Sequence, residues 1–199
     1  ITYHSIYVPY QIIEQLGKRN ISLIAEQTAA HLSDYIRFTG KDIQSLQKDS
    51  YFKQLALRPV GKTGYCCLYE KETAIMRLHP NPDLINYDMK ELKNKLDSFW
   101  QIFEPSISGK ESQGFYKWLE QDQSYRLKYM VITPVKNTNY MIAATTYIDE
   151  FSEPVNQLQK NTIAHNDKML TAHKNELTET TIIYMTIGLI IIFILDSVF

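Results

Sequence analysis

The stretch that decides the fold reads GKTGYCCLYEKETAIMRLHPNP and covers residues 61–82. It contains two runs rich in apolar and aromatic residues, 64–69 and 74–79, and the three residues between them, KET, are typical of a tight turn. The prolines at 80 and 82 end the second run, because proline cannot donate a hydrogen bond to a strand ladder. We therefore predict a β-hairpin over residues 64–79.

The chain after this hairpin alternates between helical and strand patterns. Asp88 and Glu91 have the spacing of a capping box, and they precede a helix predicted to run to Phe103 and to end at Pro105 and Gly109. Apolar residues recur along this helix at helical spacing, namely Met89, Leu92, Leu96, Phe99 and Phe103. Three further strands, 113–120, 125–135 and 140–148, are separated by short polar links, which predicts an antiparallel meander.

The chain before the hairpin is helical in pattern. Pro9 favours a helix start, Gly40 favours a helix end, and apolar residues recur at helical spacing between them. We predict one long helix over 9–38 and a shorter helical stretch over 41–57. The predicted fold class is therefore α+β, with a five-stranded antiparallel sheet, helices on one face of it, and a ligand pocket between the two layers.

The C-terminal part is the only strongly apolar segment. Pro154 is expected to open a last helix, which leads into IIYMTIGLIIIFIL at residues 182–195. A membrane-spanning helix needs about 20 apolar residues, and residues 180–199 have nearly this length with Asp196 inside them. We predict a transmembrane helix here, and a buried core helix is the alternative. Because Ile1 is not an initiator methionine, we also expect an earlier membrane anchor before it.

Composition excludes several classes of protein. The chain has 199 residues with a formal net charge of -1, from 21 Lys+Arg and 22 Asp+Glu. A protein that grips nucleic acid needs a basic excess, so no nucleic-acid partner is predicted. The chain contains 2 Cys, too few for a disulfide framework. Leu16, Leu23 and Ala30 recur at every seventh position, which favours a homodimer seam on the long helix.

These motifs resemble the Cache family of PAS-like extracytoplasmic sensor domains. The resemblance rests on Gly61-Lys62-Thr63-Gly64-Tyr65, on the hairpin that follows, and on His79-Pro80-Asn81-Pro82 with the later stretch 128–135. It covers about residues 43–151, and the long leading helix fits the single-Cache layout. It implies a PAS-like sheet and the following organisation: a long N-terminal helix at 1–40, a sensor core at 41–151, a connecting helix at 152–180 and a transmembrane segment at 181–199.

The resemblance also implies a function. Such domains lie outside the cell membrane, bind small molecules that are often carboxylates or amino acids, and pass a helix displacement to a histidine kinase, chemotaxis signalling domain or cyclase. We therefore expect a membrane receptor whose sensor domain is periplasmic or extracellular. We expect a homodimer that binds a carboxylate-like ligand, with no cofactor, no metal and no catalytic residue in this chain.

Two strand residues are candidates for contact with an anion. Arg77 offers the planar fork that matches a carboxylate, and it lies in a run otherwise suited to burial. The alternative is a surface arginine on an edge strand. His79 shares its face of the strand if the alternation is regular, and it has the alternative role of fixing the turn before Pro80.

Other candidates lie on the remaining strands. Lys128 is a second possible cation, although lysine on an edge strand commonly guards against aggregation. Aromatic side chains that would wall the pocket are Tyr65, Tyr116 and Trp118, with the alternative that they are plain core. Alternation places Met130 beside Lys128 on one strand face and Thr145 beside Ala143 on another, so that both Met130 and Thr145 would reach the ligand.

Adjacent cysteines and scattered histidines carry no catalytic or metal-binding pattern. Cys66 and Cys67 would point to opposite faces of a strand, so we expect two free, mostly buried thiols. The five histidines lack the spacing of a metal site. Two other functions stay open at this point: a partner-binding or dimerisation module without a small-molecule ligand, and a membrane-anchored enzyme.

Overall fold

The computed structural model describes residues 10–120 and 122–198. Within these ranges, the side chains of residues 10, 11, 152–159, 162 and 190–198 are not described. The chain divides between Glu153 and Pro154 into two compact units. The α-helices are α1 (Tyr10–Thr39), α2 (Ile43–Leu46), α3 (Ser50–Ala56), α4 (Asp97–Ile107) and α5 (Asp149–Val198). The strands are β1 (Pro59–Val60), β2 (Gly64–Glu70), β3 (Met76–Leu78), β4 (Ser112–Leu119), β5 (Tyr125–Pro134) and β6 (Tyr140–Tyr147).

The first unit is built on one antiparallel sheet with the order β1-β2-β6-β5-β4, and β3 pairs with β2. This confirms the α+β class with a long N-terminal helix and an antiparallel sheet. Within residues 10–120 and 122–198 the sheet has six strands rather than the predicted five. The additional strand, Pro59–Val60, is only two residues long and begins with proline, so it leaves no alternating pattern in the sequence.

Helices cover both faces of the sheet, so the prediction of helices on one face is wrong. Helix α1 packs on β5 and β6, and the core on that side includes Ile21, Leu32, Phe52 and Leu68. Helix α4 packs on β4 and β5 over the opposite face, where Phe103 joins a second core. Two separate apolar layers arise because alternate strand residues point to opposite sides, and both sets are apolar here.

The helix predicted between Asp88 and Phe103 is two elements. Asp88 caps a 3₁₀ helix, Met89–Leu92, through its side chain, which accepts a hydrogen bond from the Lys90 amide at 2.9 Å. The backbone then leaves the helical region at Leu96, and α4 begins at Asp97. Pro105 lies inside α4, so it does not end the helix. The predicted stretch 41–57 is likewise divided, into α2 and α3, by the capping residue Asp49.

Helix α1 ends as predicted. Gly40 follows Thr39 with a φ of 61°, and its amide donates to the carbonyl of Ile36. Residue 9, where the helix was predicted to begin, lies outside the described residues. The predicted seam residues Leu16 and Leu23 are 62% and 44% exposed, so they are on the outer face of α1 in this chain.

Helix α5 begins at Asp149, five residues before the predicted start at Pro154. Among the described residues, no helix is both long enough and apolar enough to cross a membrane. The apolar run predicted to do so belongs to α5, and its side chains from 190 to 198 lie outside the described residues.

Candidate ligand-binding site

A cavity lies in the first unit between the sheet and α4. Tyr65 and Cys67 of β2, Tyr116 and Trp118 of β4, Met130 of β5, and Ala143 and Thr145 of β6 form its sheet side. Phe99 and Phe103 of α4 and three residues between β3 and α4, namely His79, Leu84 and Met89, close it. Its volume is about 30 Å³, which is room for water and too small for an organic ligand. An organic ligand can therefore enter only if lining side chains move.

Six of the eight predicted site residues line this cavity. They are Tyr65, His79, Tyr116, Trp118, Met130 and Thr145. Lys128 lies immediately beside them, and Arg77 does not. The small side chain of Ala143 is on the cavity face, as the alternation along β6 predicts, whereas Ala144 packs in the core under α1.

The Lys128 ammonium is buried among aromatic rings. The residue is 2% exposed, and its Nζ lies 4.4 Å from the ring centroid of Tyr147, 5.1 Å from that of Tyr65 and 5.6 Å from that of Trp118. No hydrogen bond or ion pair to Nζ is formed by the described part of the chain. Burial lowers the pKa of Lys128, and the nearby Glu120 charge opposes that shift. Ring faces attract a cation, but they supply no hydrogen-bond acceptor to it.

Tyr65 and His79 form a polar pair in the cavity wall. Nδ1 of His79 lies 2.9 Å from the Asn81 amide nitrogen and 3.2 Å from the Asn81 carbonyl oxygen, and Nε2 lies 3.2 Å from the Tyr65 hydroxyl. Both neutral tautomers of the ring fit these contacts. With the proton on Nε2, the ring donates to Tyr65 and the phenol proton is left for another acceptor; with the proton on Nδ1, the ring donates to the Asn81 carbonyl and the phenol donates to Nε2.

The hydroxyl groups of Tyr116 and Thr145 both donate their protons to acceptors within the protein. The Thr145 hydroxyl donates to the carbonyl of Tyr129 at 3.0 Å, and the Tyr116 hydroxyl therefore donates to Thr145 Oγ1 at 2.8 Å. Both side chains are buried. They form one polar end of the cavity, but neither has a spare proton to offer an anion.

Arg77 does not face the cavity, so the prediction that it shares a face with His79 is wrong. Its Nε donates to Glu70 at 2.9 Å and its Nη1 to Asn86 at 3.0 Å. The cause is a β-bulge. Leu68 pairs with Leu78, whereas the next residue of β2 pairs with Met76, which leaves Arg77 as the extra residue of β3. Regular alternation fails at such a position.

Tyr147, whose ring is the nearest to the Lys128 ammonium, was not among the predicted site residues. Alternation along β6 puts Tyr147 on the same face as Thr145, so the signal was present in the sequence. Met76 and Met89 were also missed as lining residues. Methionine side chains are flexible, and together with Met130 they give this cavity walls that can repack.

Cys66 and Cys67 are free and buried, as predicted. They lie on opposite faces of β2, Cys66 in the core under α1 and Cys67 in the cavity wall. Burial raises the pKa of Cys67 to about 12. The thiol therefore stays protonated near neutral pH, and it contributes apolar surface to the cavity rather than a nucleophile.

We expect His79 to make the stability of the fold depend on pH. Burial lowers its pKa from 6.5 to about 4, so the unfolded chain binds the proton more tightly than the folded one. Stability is therefore complete above pH 6.5 and falls by up to about 3 kcal/mol as the pH drops to 4. Urea unfolding of the wild type and of His79→Gln across this range measures the difference. Parallel pH profiles of the two proteins would contradict the burial of a neutral ring.

Comparison with known proteins gives the family. A sequence model of the Cache 3/Cache 2 fusion domain matches residues 36–161, which is more than half of the chain. The chain belongs to this Cache family. The family predicted from the motifs is thereby confirmed. No curated protein matches the sequence.

Several solved structures resemble this chain. A Cache chemosensory domain that recognises carboxylic acids superimposes with a TM-score of 0.52 at 14% identity, over 74% of this chain and 99% of that one. A periplasmic sensor domain of a chemotaxis protein gives 0.48 at 15% identity, over 73% and 99%. A methyl-accepting chemotaxis protein from Vibrio parahaemolyticus gives 0.43 at 15% identity, over 61% and 84%. The first of these likenesses, at 14% identity, supports the fold alone.

Proposed function

We propose that this Cache domain is the extracytoplasmic ligand-sensing part of a transmembrane receptor, and that its ligand is a small carboxylate bound by Lys128. The observation that carries the proposal is the buried ammonium, which has no acceptor in the described part of the chain. Burying a charge without a partner costs free energy, and a carboxylate ligand would supply the missing acceptor. The related Cache domain that recognises carboxylic acids supports this class of ligand.

The second donor of the proposed site is Tyr65. In the tautomer that we propose, His79 is protonated at Nε2 and donates to the Tyr65 hydroxyl, which leaves the phenol proton for the ligand. The Tyr65 ring lies 5.1 Å from the Lys128 ammonium. A carboxylate has two oxygens, so it can accept from the ammonium and from the phenol together. Burial raises the pKa of Tyr65, so the phenol keeps its proton and acts as a donor.

The proposed ligand is small, because the cavity has a volume of about 30 Å³ before any rearrangement. Its apolar part would lie among Met76, Met89 and Met130, whose side chains can change rotamer to make room. The cost of this repacking is repaid only if the ligand binds the opened state more tightly than the closed one.

The receptor organisation that we propose follows the sequence. The helix at 1–40 precedes a sensor core at 41–151, the connecting helix covers 152–180, and residues 181–199 cross the membrane. The sensor core would face the periplasm or the exterior, and ligand binding would displace the connecting helix within a homodimer. The output domain would be a histidine kinase, a chemotaxis signalling domain or a cyclase.

Thermal unfolding tests the ligand class. We expect acetate and propionate to raise the melting temperature, and acetamide, which has the same size without the charge, to leave it unchanged. At a ligand concentration of 100 times Kd the stabilisation is about 2.7 kcal/mol, which is readily measured. Sodium chloride at the same ionic strength is the control for screening. A shift of equal size with acetamide would contradict the role of the anion.

A second candidate function is a partner-binding or dimerisation module without a small-molecule ligand. Two observations favour it: the cavity is nearly filled by side chains, and Leu16 and Leu23 present apolar surface on the outer face of α1. The same thermal experiment separates the two functions. A melting temperature that rises with protein concentration but responds to no carboxylate would support the second function.

A further inference from the structure

Residues 61–64, which join β1 to β2 and include the first residue of β2, surround a carboxylate of the same chain and are called the 61–64 loop below. Gly61 adopts a φ of 66°, and the next two backbone amides point to one place. The Lys62 amide donates to Glu150 Oε2 at 2.8 Å and the Thr63 amide donates to Oε1 at 2.6 Å. The Thr63 hydroxyl also donates to Oε1. Successive amides of this kind form an anion-binding concavity, and here the anion is a side chain.

Glutamine is not expected to replace Glu150 in this arrangement. Burial would raise the pKa of its carboxyl group, but hydrogen bonds donated by Thr63 and Lys62 outweigh burial, and the pKa is lowered. A glutamine would present an NH₂ group to one of the two amides, and two donors repel each other. A Cβ on Gly61 would overlap Glu150 Oε2, so the loop is shaped closely around the carboxylate.

Glu150 lies in the first turn of α5, at the point where the sheet passes into that helix. Its neighbour Asp149 accepts a hydrogen bond from Arg126 of β5 at 3.0 Å, and Arg126 stacks on the Tyr147 ring at 3.8 Å. The positive end of the helix dipole also stabilises both carboxylates. The first turn of α5 is therefore held from two strands, β2 through its preceding loop and β5 through Arg126.

The strands that hold this turn are the strands that carry the proposed ligand donors. Tyr65 follows directly after the 61–64 loop, and Lys128 is two residues beyond Arg126 on β5. Tyr65 also contacts the Lys128 ammonium and His79. A ligand that inserts between Tyr65 and the Lys128 ammonium would displace the Tyr65 side chain, and Tyr65 is joined directly to the 61–64 loop.

We propose that Glu150 is a positioning residue that couples the cavity to α5, by transmitting movement of Tyr65 and the 61–64 loop to the first turn of the helix. This inference rests on the proposed sensing function, and it goes beyond it by naming the residue through which the signal leaves the sensor core. The coupling acts within the first unit, because Glu150 precedes the division at Glu153.

We call the hydrogen bonds from Lys62 and Thr63 to the Glu150 carboxylate the Glu150 clamp. The first experiment tests this clamp without any ligand. Amide hydrogen exchange is measured by NMR on the full chain for wild type, Glu150→Gln, Thr63→Val and the double variant. We expect the Lys62 and Thr63 amides and the first turn of α5 to exchange about tenfold faster in Glu150→Gln, with no further change in the double variant. Glu26→Gln, an exposed carboxylate on α1, is the matched control. Unchanged exchange in Glu150→Gln, or additive effects, would overturn the clamp.

The second experiment tests transmission. The cavity is changed in two separate ways, by adding acetate and by the substitution Lys128→Met, and amide hydrogen exchange is measured again. With Glu150 present, we expect each change to alter the exchange rates at 61–64 and at 149–153. In Glu150→Gln, we expect neither change to alter the exchange rates at 149–153. The acetate affinity of Glu150→Gln should stay within twofold of wild type, which separates coupling from a general loss of structure.

The two proposals fail in different ways. If acetate does not bind the wild-type chain, the carboxylate-sensing function fails, and the Lys128→Met arm still decides the coupling. If 149–153 responds equally with and without the Glu150 carboxylate, or if Lys128→Met leaves 149–153 unchanged in the wild-type background, the coupling role is wrong even when acetate binds.

Discussion

Replacing Lys128 with methionine is expected to abolish carboxylate binding and to stabilise the unliganded protein at the same time. The ammonium is buried to 2% exposure with three aromatic rings around it and no acceptor within the described residues. Methionine has a similar length, and it fills the same space without a charge. Removing the unpaired charge should raise the free energy of unfolding by about 1–3 kcal/mol, because the desolvation cost of the ammonium is no longer incurred.

The loss of binding has a different origin. A carboxylate that enters the site leaves water, and it is stabilised there chiefly by the ammonium. Without that partner the buried anion is unpaired, and such losses amount to about 2–5 kcal/mol, or at least 30-fold in affinity. Urea unfolding without ligand and calorimetric titration with acetate measure the two effects on the same protein.

Lys117→Met is the matched control for this variant. Lys117 lies on the neighbouring strand β4 and is exposed, so its replacement should change neither stability nor acetate affinity appreciably. A destabilised Lys128→Met protein would mean that the ammonium contributes to the unliganded fold. Retained acetate affinity would remove Lys128 from the site. Either result would contradict the proposal that the Lys128 ammonium is unpaired in the unliganded protein and binds the carboxylate of the ligand.

The strands were predictable wherever they alternate regularly. The predicted ends of the strands at 113–120, 125–135 and 140–148 differ from those of β4, β5 and β6 by no more than one residue, because the short polar links Gln121-Asp122-Gln123 and Lys136-Asn137-Thr138-Asn139 separate them. Regular alternation on these strands also placed Tyr116, Met130 and Thr145 on the cavity face. Faces follow from sequence when the register is unbroken.

Prediction failed where a single residue breaks the register. Nothing in MRLH marks the bulge that makes Arg77 the extra residue of β3, since the bulge depends on how β3 pairs with β2. The Arg77 partner Glu70 is seven residues away, and their ion pair becomes visible only when the two strands are paired. The same reason hides the Glu150 clamp, because Lys62 and Glu150 are brought together by the sheet and not by sequence proximity.

The second large effect is expected for Gly64→Ala, which should destabilise the domain by about 3 kcal/mol. Gly64 opens β2, and a Cβ at this position would overlap the carbonyl oxygens of Val60 and Thr145 and the Cβ of Thr146. Two of these atoms belong to backbones that pair with β2 on both sides, so side-chain rotation cannot relieve the overlap. Total stabilities are about 5–15 kcal/mol, so this loss is a large share of the whole.

Gly40→Ala separates this steric effect from the effect of losing a glycine. Gly40 has a φ of 61°, and no atom lies within 4 Å of the place that an alanine methyl group would take, so alanine there incurs only the left-handed backbone cost of about 1 kcal/mol. Urea unfolding of both variants gives the comparison. If Gly64→Ala loses no more than Gly40→Ala, β1 and β6 do not approach β2 this closely. If it loses more, the glycine that precedes Tyr65 is required because a side chain would force apart the strands that carry Tyr65 and Thr145 into the cavity.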